Sequence, residues 1–81
     1  GKGVIFLWLF RSPIGKIYIK KLSTHKFGLL FDDTLWDVCN DPHILADNVY
    51  MQCTGCTEWD TCNTLGLDVP TDLSQWELTQ S

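Results

Sequence analysis

The chain has 81 residues, 44% of them apolar, a formal charge of −4, four cysteines and four tryptophans. A single domain of this length buries only about 60 to 65% of its unfolded surface, so it needs a staple: disulfides, a structural metal, oligomerisation or unusually dense packing. Its longest apolar run, residues 4 to 10, is stopped by Arg11 and falls far short of the roughly 20 residues of a membrane span, which excludes a spanning role and makes a soluble chain the expectation.

All six basic residues, Lys2, Arg11, Lys16, Lys20, Lys21 and Lys26, precede position 27, and all ten acidic ones follow Phe31. The chain is electrically two halves. Such a split bears on partners and encounter rates, and not on fold; the plainest outcome is that the halves fold together and neutralise.

Residues 3 to 31 read as an antiparallel β-meander. Val4 to Phe10 is apolar on both faces, as a central strand should be, and no small-residue cleavage site follows it to suggest a signal peptide. Ser12-Pro13-Ile14-Gly15 is a turn, with proline and glycine at the positions that favour them. The next segment alternates, Ile17 and Ile19 on one face and Lys16, Tyr18 and Lys20 on the other. After Ser23-Thr24-His25 comes a short apolar strand, Phe27 to Phe31, in which Gly28 marks a bulge or a close backbone approach.

The period changes after Phe31. Asp32 or Asp33 is placed to cap a short helix carrying Leu35, Trp36 and Val38. Asp41-Pro42 is a stronger start signal for a helix through Ile44 and Leu45. Thr57 to Leu65, ended by Gly66, forms a third, and Thr71 or Asp72 begins a last turn with Leu73, Trp76 and Leu78. The expected fold is α+β in one domain: a three-stranded antiparallel meander (3–31, basic), then several short helices (32–81, acidic) packed on one face through Trp36, Leu45, Trp59, Leu65 and Trp76.

MQCTGCTEWDTC, residues 51 to 62, holds three of the cysteines. Cys53 and Cys56 form a C-x2-C knuckle, and a tetrahedral zinc site needs two further ligands. The candidate sets are Cys39, Cys53, Cys56 and Cys62, or the same with His43 in place of Cys39 or Cys62. A disulfide framework competes, with three possible connectivities; bridging Cys53 to Cys56 closes too short a loop to constrain the unfolded chain much. Four buried thiols packing as small apolar groups are the third reading. Zinc favours a cytoplasmic setting and disulfides an extracellular one.

NVYMQCTGCTEWDTCNTLG resembles the active-site segment of the thioredoxin and glutaredoxin family over about fifteen residues. The resemblance implies a thiol oxidoreductase with Cys53 as nucleophile, activated by a helix N-terminus, and Cys56 as the resolving thiol. Thr54-Gly55 departs from the family's usual pair, and little chain remains after Pro70 for its later strands. Gly3-Val4-Ile5 followed by Gly15-Lys16-Ile17-Tyr18-Ile19 faintly resembles the opening of the GIY-YIG nuclease family. Val4-Ile5 replaces that signature's Ile-Tyr, Lys20 stands at its second glycine, and no arginine follows Arg11, so the likeness is one of hairpin composition.

His25 and His43 have no nucleophile placed against them, and there is no phosphate-binding glycine loop. A row of Lys16, Tyr18 and Lys20 beside Lys21 suits a single nucleic-acid strand, against an isoelectric point of about 4.7. The expected function is therefore a non-enzymatic protein-binding regulator or inhibitor. Its acidic half, through Asp32, Asp33, Asp37, Asp41, Asp47 and Trp36, would dock on a basic protein surface; nucleic-acid binding through the basic hairpin and a small C-x2-C thiol oxidoreductase are the alternatives.

Overall fold

The computed structural model describes residues 6–80; Lys2 and the first two residues of the expected first strand, Val4 and Ile5, lie outside them. The elements are β1 (Phe6–Ser12), β2 (Gly15–Ser23), β3 (Lys26–Phe31), β4 (Thr34–Cys39), α1 (Pro42–Tyr50), α2 (Thr57–Asp60), a 3₁₀ turn (Leu73–Gln75) and β5 (Glu77–Gln80). The fold is α+β, with a five-stranded antiparallel sheet in the order β4-β3-β2-β1-β5.

The meander forms as its residues dictate. Pro13-Ile14 is the two-residue loop between β1 and β2, closed by Ser12 Oγ donating to the Gly15 carbonyl at 2.6 Å. Gly15 has φ +130°, and a Cβ there would stand 3.1 Å from the Phe31 ring. Gly28 marks a close approach: a Cβ would lie 2.6 Å from Leu35 Cδ1 and 2.9 Å from Leu22 Cδ1. The irregularities in pairing fall at Lys21/Ser23 and opposite Leu29/Leu30 instead.

Three expectations about the second half are corrected. Leu35, Trp36 and Val38 lie on β4, not on a helix. Asp32 and Asp33 do not cap; both take positive φ, 54° and 59°, and join Phe31 to Thr34 as a two-residue hairpin loop. A primed turn of this kind matches the twist of the strands it joins, and the β-branched and aromatic residues that follow suit a pleated surface.

The helix expected over Thr57–Leu65 stops at Asp60, because the Asn63 side chain accepts the Leu65 N–H at 3.0 Å and offers the backbone a turn instead. Leu65 is consequently 91% exposed. The terminal turn ends at Gln75, and Leu78 belongs to β5, which supplies ladder partners for the edge of β1 that would otherwise lack them.

The core lies on one face of the sheet. Phe10, Ile17, Ile19, Leu29 and Phe31 pack against Leu45, Ala46 and Val49 of α1, Trp59 of α2, Leu73 and Trp76. Phe10 meets two indoles edge-on, Trp59 at 5.5 Å and Trp76 at 5.7 Å between ring centroids. Of the expected core, Leu45, Trp59 and Trp76 are buried, whereas Trp36 is 40% exposed on the edge strand.

Candidate binding surface

The C-x2-C segment is organised around a carboxylate. Asp60 Oδ1 accepts the Thr54 hydroxyl at 2.7 Å and the Thr54 amide at 3.0 Å, Oδ2 accepts the Gly55 amide at 2.9 Å, and the Thr54 hydroxyl oxygen accepts the Cys56 amide at 3.1 Å. Gly55, at φ +86°, permits the turn that aims these amides inward. The amides of Thr54, Gly55 and Cys56 are thus spent on Asp60 and Thr54; Cys53 is exposed and Cys56 buried.

Cys39 Sγ points to Asn40 Oδ1, Cys53 Sγ to Asn48 Oδ1 and Cys62 Sγ to the Asn63 carbonyl, at 3.7, 3.8 and 3.9 Å. His43 is exposed in the first turn of α1. All four cysteines are free thiols, and among the described residues no three His, Cys, Asp or Glu side chains are grouped to hold a metal ion. Cys39, His43, Cys53, Cys56 and Cys62 are therefore not gathered into any of the candidate zinc sets. Cys56 is the N-cap of the one-turn α2, so the helix starts after the second cysteine, three positions later than the oxidoreductase resemblance implies for Cys53.

The acidic residues divide by use. Asp37 accepts Val38 N–H at 2.9 Å and Asn48 Nδ2 at 3.1 Å, tying β4 to α1. Asp41 caps α1 by accepting the His43 amide at 2.9 Å, with Pro42 following it. Asp32, Asp33 and Asp47 are exposed, and the first two share a cleft with Glu58 and Lys16. Trp36 donates its indole proton to the Phe31 carbonyl at 3.3 Å. Lys16, Tyr18 and Lys20 alternate with the core residues Ile17 and Ile19, but Lys21 pairs with Phe27 on the core side, so the basic row is split between faces.

A groove of about 660 Å³ lies elsewhere, lined by Phe6, Trp8, Lys21, Leu22, Ser23, Phe27 and Leu78. Its origin is the sheet register. Trp8 pairs with Ile19 and Leu78, and Lys21 with Phe27, so the core face of the sheet continues beyond the buried cluster. Trp8 and Phe27 flank that cluster half-buried, 6.1 Å apart between ring centroids. Beyond them Phe6 and Leu78 are 49% and 59% exposed.

The volume is typical of a binding site, and contiguous exposed apolar side chains mark an interaction surface more often than chance. The sequence reading missed this surface because it took Val4 to Phe10 as uniformly buried and put Leu78 on a helical turn. The available signal was the parity of Phe6, Trp8 and Phe10, which puts three aromatics on one face over about 14 Å of strand, longer than a short helical layer covers. Among the described residues no helix is long and apolar enough to cross a membrane. Compared with protein-family models, curated proteins and solved structures, the chain matches none.

Proposed function

We propose that this chain is a small non-enzymatic protein-binding module whose contact surface is the groove over Trp8. The observation that carries the reading is the pair of exposed side chains Phe6 and Leu78 beside half-buried Trp8 and Phe27 on one face of the sheet. Aromatic anchors in a half-formed pocket are what a partner desolvates to gain most of its binding energy. Asp32, Asp33 and Asp47, exposed while Asp37 and Asp41 make internal bonds, support a second contact, with a basic surface.

The test is site-specific photo-crosslinking in extracts of the source cell. A benzoylphenylalanine placed at the exposed Phe6 is expected to capture a discrete protein, and capture should be lost in a Leu78→Glu background. Capture from position 47 and not from position 6 would move the contact to the acidic half.

A further inference from the structure

We infer that the occupant of the groove is an acidic segment of a partner protein that carries bulky apolar side chains. The inference rests on the protein-binding reading and adds the partner's chemistry. Phe6, Trp8, Lys21, Leu22, Ser23 and Phe27 all come from residues 1 to 31, which hold every basic residue of the chain and no aspartate or glutamate. Lys21 lines the groove, and His25 and Lys26 are exposed at the adjacent β2–β3 turn.

Most acidic residues lie away from this margin. Asp32 and Asp33 follow the far end of β3, about 20 Å of strand from Lys26 and more than two Debye lengths away at physiological salt. Glu77 is bonded to Arg11 at 3.3 Å and alternates with Leu78, so it faces the other side of the sheet. On the β4 side, Asp37 and Asp41 are turned to internal amides but keep their charge beside the Phe27–Cys39 pair, so the positive margin of the groove is carried by Lys21, on the β1 side of Phe27, more than by Lys26. An apolar lining with a positive margin complements apolar anchors flanked by carboxylates.

The openness of the groove selects among ligands of that chemistry. A drug-sized molecule usually has 70 to 90% of its surface buried in its site, roughly speaking, which rims as exposed as Phe6 and Leu78 do not provide; a protein segment brings neighbouring surface to cover them. A nucleic-acid strand is the weaker fit. Stacking needs free ring faces and a basic track, whereas Trp8 and Phe27 are half-buried against each other at 58° and Lys21 is the one lysine of the lining among the described residues.

The experiment pans a random peptide library on the full chain and on Lys21→Glu and Leu78→Glu, both changes at exposed positions. Enriched peptides are expected to combine Phe, Leu or Trp with several carboxylates. The best of them should shift the Trp8 indole resonance while leaving those of Trp59 and Trp76 in place, and Lys21→Glu should weaken it at least about tenfold, with further weakening in added salt. Enrichment of neutral or basic peptides that still depend on Leu78 would overturn the acidic partner and leave the docking surface standing. Enrichment indifferent to Leu78→Glu, or no enrichment, would overturn both. Dodecanoate or an oligothymidylate shifting Trp8 at lower concentration than the best peptide would replace the protein partner with an amphiphile or a nucleic acid.

Discussion

The indole N–H of Trp59 donates to the carbonyl oxygen of Val49 at 2.8 Å, joining α2 to the C-terminal end of α1, where helix carbonyls have no partner within the helix. Trp76, the other indole on Phe10, is also buried, yet its indole nitrogen has no hydrogen-bond partner among the described residues. Two tryptophans in one core thus differ in a single polar bond.

Replacing each by phenylalanine separates packing from hydrogen bonding. Trp59→Phe removes ring volume and a made bond, and should cost about 2 to 3 kcal/mol. Trp76→Phe removes similar volume but also an unsatisfied donor, so it should cost about 1 kcal/mol less. Urea midpoints at unchanged slope measure both; equal losses would show that the Trp76 proton has a partner in solution.

The meander and its turn were legible because Pro13, Gly15 and the alternation of Ile17 and Ile19 act locally. The helix start at Asp41-Pro42 was legible for the same reason. Asp32-Asp33 was ambiguous: aspartate suits both an N-cap and a left-handed turn, and only the pairing of Phe31 with Thr34 decides between them. β5 was illegible, since Glu77-Leu78-Thr79-Gln80 is a strand chiefly because the edge of β1 awaits it. The site followed the same rule. The cysteines drew attention by spacing, but the outcome depends on Asp60, whose role is fixed by a loop that sequence does not display.

The end of α1 shows how a side chain offsets a strained backbone. Cys53 N–H bonds the Asn48 carbonyl and Gln52 N–H the Val49 carbonyl, at 2.9 and 3.1 Å. This Schellman pattern normally takes glycine at the left-handed position, yet Gln52 holds it at φ 55°. Its Nε2 donates to the carbonyls of Trp59 and Cys62 at 2.8 and 2.7 Å. Gln52→Gly should cost only about 1 kcal/mol, because relief of the backbone offsets part of the lost bonding. Gln52→Glu should cost more at neutral pH, where a carboxylate faces two carbonyl oxygens. That charge is disfavoured in the folded state, so its carboxyl pKa is raised and stability should recover as pH falls through it. Thermal melts across the acid range test the difference.

The Asp32-Asp33 loop carries the reverse opportunity. Both residues occupy positive φ, where Asn-Gly is the preferred pair. The double change Asp32→Asn with Asp33→Gly should raise stability by about 1 kcal/mol without altering the fold. A lower urea midpoint would mean that the two carboxylates make contacts that outweigh their backbone strain.

Asp72 supplies a pH-dependent term. The Ser74 hydroxyl, and next the Ser74 amide at 2.6 Å, donate to its Oδ1, with His43 nearby, and its pKa is held below the ordinary carboxylate value. A carboxylate lowered on folding stabilises fully above its unfolded pKa, and the contribution disappears as pH falls through the lowered folded value. Carbon-detected titration should place Asp72 below an unstructured aspartate, and Ser74→Ala should move it up. No movement would remove the hydroxyl as the leading cause.

The carboxylate inside the C-x2-C turn governs access to sulfur. Asp60 holds the amides of Thr54 and Gly55 and the Thr54 hydroxyl, which in turn holds the Cys56 amide; with those bonds in place Cys56 is 3% exposed while Cys53 is open. A thiol reagent should therefore modify Cys53 rapidly and Cys56 only on the timescale of local opening. Asp60→Ala leaves two amides and a hydroxyl without their acceptor and should destabilise the chain by about 2 to 4 kcal/mol. It should also raise the labelling rate of Cys56 far more than that of Cys53. Asp60→Asn, which keeps one acceptor oxygen, should fall between the two. If Cys56 reacts as fast as Cys53 in the unaltered chain, the turn is open in solution and Asp60 does not close it.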